Sequence, residues 1–217
     1  MSNPDLISRT IQFVKQQLAN AEGGHDWFHI ERVYRNSLLI SQSEKCDEVV
    51  VKLSALLHDI ADSKFHDGDE SIGPKTARAF LEGESVDEAT IVHVINIIEN
   101  ISFKGGNFEK KFHSKELEIV QDADRLDAIG AIGIARTFNY GGFKNRPLYD
   151  PSIPPNLHMT KEEYKSNEAP TLNHFYEKLL LLKDKMNTET GKQIAQERHR
   201  FMETFLSQFY AEWDGEK

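Results

Sequence analysis

The chain has 217 residues, 39% of them apolar and 28% charged, so it is long enough for one large domain with a proper core, and nothing in its length demands two. Its formal net charge of −9 argues against a general binder of nucleic-acid polymers, which would present a basic face. No apolar run approaches the roughly 20 residues of a membrane span, the Met1–Asp5 start lacks a secretory pattern, and the single Cys46 excludes an internal disulfide and a Cys-rich zinc site; the expectation is a cytoplasmic protein with no membrane partner.

The periodicity is helical nearly throughout. Asn3-Pro4 reads as a helix start, and Leu6, Ile7, Ile11, Val14 and Leu18 recur at helical spacing until Gly23-Gly24. A second helix begins near His25-Asp26 and carries Phe28, Val33, Leu38, Leu39 and Ile40. The third is capped by Asp47 and runs through Val50, Leu53, Leu56, Leu57 and Ile60, and residues 62 to 70 read as a loop after it. Further helices are expected at about 70–82, 87–101 and 115–139. Pro147, Pro151, Pro154, Pro155 and Pro170 then mark an irregular excursion over 143–170, a lid or an interface arm. Two packing helices follow at about 171–186 and 188–213, capped by Thr171 and Thr188. No strand-like alternation, repeat or low-complexity tract breaks this pattern, so the fold class is all-α.

Chemistry concentrates in three places. His58 and Asp59 interrupt the apolar run Leu53-Ser-Ala-Leu-Leu-His-Asp-Ile-Ala, where a carboxylate is costly unless something pairs with it. A metal is one such partner; a hydrogen-bonded His and Asp at a helix edge is the plainer reading of the dipeptide alone. Adjacent helical residues point about 100° apart, so both reach one ion only at the helix edge, and further ligands must come from other helices. Upstream, Gly23-Gly-His-Asp-Trp-Phe-His-Ile-Glu-Arg-Val places His25 and His29 on one face, with His25-Asp26 a decoy for the true pair. Downstream, Val120-Gln-Asp-Ala-Asp-Arg-Leu-Asp-Ala sets Asp122, Asp124 and Asp127 among Ile119, Leu126 and Ile129, which is hard to explain as solvated surface.

The ordered set His29, His58-Asp59, Asp124 resembles the H…HD…D signature of the HD-domain phosphohydrolase superfamily, and the wording around it is similar to the small bacterial YpgQ/YedJ-like group. By motif the resemblance covers residues 5 to 140. It implies a single-domain HD-type helical bundle over 1–217, with a metal-site core at about 20–140. It implies that His29, His58, Asp59 and Asp124, from three helices, hold one divalent ion, Mn²⁺ first, with Mg²⁺, Fe²⁺, Co²⁺, Ni²⁺ or Zn²⁺ as alternatives. Positions left open on the ion would admit water and a phosphate oxygen.

By the same resemblance Asp62 and Asp67 orient or activate the water, against a plainer reading as a frayed helix end and a loop cap. Lys64, His66, Lys104 and Arg125 are the candidate phosphate-binding side chains, each equally at home as solvated surface or loop. His93 is a further substrate candidate, or a hydrogen-bonded core histidine, and Asp122 and Asp127 are more naturally supporting acids than ligands. The implied reaction is hydrolysis of a small phosphorylated substrate, a nucleotide: nucleoside triphosphate pyrophosphohydrolysis or nucleoside monophosphate dephosphorylation. The alternatives are a catalytically silent metal-binding ligand sensor and a (p)ppGpp or cyclic nucleotide hydrolase. The Pro-rich excursion and the Phe-rich last helix are compatible with a homodimer.

Overall fold

The computed structural model describes residues 3–19, 26–60, 69, 71–101, 112–159 and 168–217, and every regular element among them is helical. In chain order these are α1 (Asn3–Gln17), α2 (Trp27–Ser41), α3 (Glu48–Leu57), α4 (Ile72–Gly83), α5 (Glu88–Asn100), α6 (Lys115–Asp127), α7 (Gly130–Phe143), α8 (Asn173–Glu177), a 3₁₀ segment (Leu179–Lys185) and α9 (Glu189–Trp213). The backbone gathers into two compact units, Met1–Asp124 and Arg125–Lys217, with the boundary inside α6.

In the first unit α3 packs on α1, α2 and α5, and α4 packs on α5. Its core is aliphatic: Ile30, Val33 and Ile40 of α2, Val51, Leu53, Leu56 and Leu57 of α3, and Ile97 of α5 are fully buried. Each large side chain in such a place stabilises the fold by about 1.5–3 kcal/mol relative to exposure. Asp47 caps α3 as its sequence suggests, its carboxylate accepting from the Val49 and Val50 amides.

The second unit buries Leu126, Ile129, Leu172, Leu179, Leu182, Met202 and Leu206 and adds an aromatic cluster. Phe138 of α7, Phe175 of α8 and Phe205 and Phe209 of α9 meet with ring centroids 5.8–6.4 Å apart, and Tyr149 and Trp213 extend the cluster over Phe209. Such pairs contribute beyond the area they bury.

Three expectations about element boundaries need correction. The helix expected at 115–139 is two helices, because Gly130 adopts φ +74°, open to glycine at little cost, and a Cβ there would lie 2.9 Å from the Arg198 side chain. The helix expected at 171–186 is a short α8 followed by a 3₁₀ segment, divided at Lys178 (φ −144°, ψ −57°). Thr171 does not cap it; its amide donates to the Pro147 carbonyl and the Leu172 amide to the Leu148 carbonyl, tying the turn before α8 to residues 147 and 148. The third helix stops at Leu57, with His58 as its C-cap, and does not run on through Ile60. Thr188, by contrast, caps α9 through the Gly191 amide, and no regular helix occurs among the described residues of the 143–170 excursion beyond the end of α7.

Candidate metal centre

Three helices of the first unit bring the candidate ligands together. α2 starts where Asp26 accepts from the His29 amide at 2.9 Å, so the supposed decoy is the cap that places His29 in the first turn. α3 delivers His58 and Asp59 at its C-terminal end, where the last carbonyls lack intrahelical partners and the helix dipole is negative. α6 delivers Asp124.

His29 Nε2 lies 3.3 Å from His58 Nε2, 3.6 Å from Asp124 Oδ1 and 3.9 Å from Asp59 Oδ2, and His58 Nε2 lies 4.0 Å from Asp124 Oδ1. An ion with bonds of about 2.0–2.2 Å places neighbouring donors about 3 Å apart and opposed donors about 4.3 Å apart, so these separations suit a single ion. His29, His58 and Asp59 alone already form a group with all ligand atoms within 4.8 Å.

The His58 ring is fixed for this task. Its Nδ1 lies 3.0 Å from the Ala55 carbonyl, which can only accept, so Nδ1 carries the hydrogen and Nε2 keeps its lone pair toward His29 and the carboxylates. Burial lowers the His58 pKa, Asp124 opposes that, and neighbouring His29 lowers it further. The neutral ligand form is therefore favoured. Both imidazole side chains are 4% exposed, whereas Asp59 is 23% and Asp124 37% exposed. The imidazoles therefore lie deeper than the carboxylates.

The remaining candidates divide. Asp62, Lys64, His66, Asp67 and Lys104 lie outside the described residues. His93 is half-buried and hydrogen-bonded: Nε2 is 3.0 Å from Ser114 Oγ and 3.4 Å from Glu116 Oε2, with Phe112 against the ring. Arg125 donates to the Lys185 carbonyl within the second unit. Asp127 is buried and paired with Arg136, while Asp122 is fully buried. Neither the Ala55 carbonyl nor the Asp26 cap stands out in the sequence as part of a site. A cap three residues before a histidine was the available signal for Asp26; a backbone carbonyl leaves none.

The likenesses to known proteins agree with this geometry. The HD domain family profile matches residues 27–129. YpgQ of Bacillus subtilis is 38% identical over 90% of this chain and 88% of its own length. The crystal structure of an HD-superfamily hydrolase from Bacillus thuringiensis is 45% identical, covers 98% of this chain and 99% of its own, and superposes with a TM-score of 0.79. The crystal structure of B. subtilis YpgQ in complex with ADP covers 98% and 97% of the two chains at 32% identity and a TM-score of 0.76. Among the described residues no helix is long and apolar enough to cross a membrane. Likeness along nearly the whole chain, with His29, His58, Asp59 and Asp124 gathered at one point, has a single meaning: the chain belongs to the HD-domain superfamily.

Proposed function

We propose that this chain is a divalent-metal-dependent phosphohydrolase acting on nucleotides, by nucleoside triphosphate pyrophosphohydrolysis or nucleoside monophosphate dephosphorylation. The observation that carries the reading is the convergence of two imidazoles and two carboxylates, with the His58 lone pair freed by the Ala55 carbonyl. A divalent ion, Mn²⁺ first among the candidates, supplies Lewis-acid polarisation of a phosphoryl group and acidification of water. His29 and His58 are the deeper candidate ligands, and Asp59 and Asp124 are partly exposed. Asp62, three residues beyond Asp59, and Asp67 are the proposed proton carriers, and Lys64, His66 and Lys104 the proposed contacts for phosphate. The ADP complex of YpgQ supports a nucleotide as the class of substrate.

Phosphate and pyrophosphate release from a panel of nucleoside mono- and triphosphates, with and without Mn²⁺, tests the reading. Pyrophosphate from triphosphates selects the first reaction, and phosphate from monophosphates selects the second. Absence of metal-dependent turnover on every phosphate ester and anhydride offered would sink the class. Asp62→Ala is expected to retain metal and lose most turnover.

A further inference from the structure

Glu116 is a buried carboxylate in the first turn of α6, and its two oxygens face two different elements. Oε1 accepts from the Asp47 amide at 2.8 Å, and Asp47 is the N-cap of α3. Oε2 lies 3.4 Å from His93 Nε2 of α5, the same nitrogen that meets Ser114 Oγ at 3.0 Å. Ser114 Oγ in turn accepts from the Leu117 amide at 3.1 Å and closes the start of α6. Beside them Lys115 reaches Glu44, in the connection between α2 and α3, at 3.3 Å. The first turn of α6 is thus joined to the start of α3 and to α5 through one carboxylate and one imidazole.

The candidate ligands sit at the other ends of the same rods. Asp124 is eight residues beyond Glu116, about 12 Å of helical rise, and His58 is eleven beyond Asp47, about 16 Å. Asp47 meets Glu116 at one end and His58 Nε2 approaches Asp124 Oδ1 to 4.0 Å at the other, so α3 and α6 run side by side in one direction. At the far end α6 is also tied to α2, where Asn36 Nδ2 donates to the Ala123 carbonyl at 3.5 Å, and to the end of α5, where Gln121 Nε2 donates to the Ile101 carbonyl at 3.2 Å; Glu116 is the bridge that joins its first turn directly to the start of α3. We infer that Glu116 is a positioning residue for the metal site: by bridging the Asp47 amide and His93 it sets the distance between α3 and α6, and with it the separation of His58 and Asp59 from Asp124.

This inference rests on the metal-site reading, and calorimetric titration of the metal-free full chain with Mn²⁺, well below its unfolding midpoint, separates the two. Wild type is expected to bind; failure to bind overturns the metal reading itself. Glu116→Leu, which fills the volume but removes both acceptors, is expected to weaken Mn²⁺ binding by about tenfold or more, whereas Glu116→Gln, which keeps an acceptor for the Asp47 amide, stays within about twofold of wild type. Val14→Ala opens a cavity at a fully buried position of α1 and controls for stability alone: it should lower the unfolding midpoint and leave Mn²⁺ affinity unchanged. Glu116→Leu binding like wild type, or Val14→Ala losing as much affinity as Glu116→Leu, overturns the positioning role. Should Glu116→Leu not fold, His93→Leu, which removes the partner of Glu116 Oε2, carries the same test, with weakened Mn²⁺ binding expected and unchanged binding overturning the positioning role.

Discussion

Each unit of the chain holds a histidine whose pKa is lowered by burial of its ring, and their surroundings are opposite. In residues 1–124, burial lowers the pKa of His58 while Asp124 and Asp59 pull it back up. In residues 125–217, burial lowers the pKa of His174 to about 4, and the neighbours Lys178 and Arg146 push it the same way. An imidazole with an aligned lone pair among carboxylates is a place for a cation; an imidazole among cations repels one. Both cores are mainly aliphatic, and the second unit adds a cluster of aromatic rings around the buried Phe175. Chemistry and packing are divided along the chain.

The largest expected break in this division comes from the first unit. Asp59→Ala should abolish both stoichiometric metal and metal-dependent turnover while leaving the helical content intact, because the aliphatic core of α3 ends at Leu57. Metal analysis of the purified variant reads it directly, and full metal content would falsify the ligand assignment. The mirror experiment is Phe175→Ala. Phe175 is fully buried against Phe138 and Phe205, and its loss should cost about 3–5 kcal/mol in a denaturant titration while metal affinity, measured on the folded fraction, stays put. Loss of metal at full folding would end the division.

The sequence carried the first unit better than the second, for a physical reason. Polar residues inside apolar helices drew attention to His58-Asp59 and to Asp122, Asp124 and Asp127 together, and only the resemblance to the HD family selected Asp124 among the three; Asp47 and Thr188 were readable as caps because a side-chain oxygen at a helix start has a local task. The break at Ala128–Ile129 was not readable from periodicity, which continues across it; only Gly130 marked it, and there both the positive φ and the Arg198 side chain close to the position of a Cβ favour glycine. Glu116 and Glu118 look alike in the sequence, both acids in a first turn, and only the fold buries one against the Asp47 amide. The Ala55 carbonyl that selects the His58 tautomer has no side-chain signature at all.

A pH titration sharpens the comparison of the two histidines. His174 takes up a proton in the unfolded chain below about 6.5 but in the folded chain only near pH 4. Its contribution to stability is therefore complete above pH 6.5 and is lost as the pH falls from 6.5 toward 4. His174→Gln should flatten that part of the curve of unfolding midpoint against pH, measured against wild type so that the carboxylates and His58 cancel. A variant curve parallel to wild type across this window would show that His174 does not titrate as its surroundings dictate.

The smallest expected effect separates the units most cleanly, because it compares like with like. Asp26 and Thr188 each cap one helix through one side-chain oxygen, Asp26 at 2.9 Å from the His29 amide and Thr188 at 3.0 Å from the Gly191 amide. Removing either cap should cost about 1 kcal/mol. Asp26→Ala frees the turn that presents His29, a ring 3.3 Å from His58, whereas Thr188→Ala frees a turn that carries no candidate ligand. Equal stability losses with weaker Mn²⁺ binding only in Asp26→Ala would locate the site's sensitivity in the placement of His29. Equal metal affinities in the two variants would mean that the packing of Ile30 and Val33 alone holds the first turn of α2, and that its cap serves the helix and not the site.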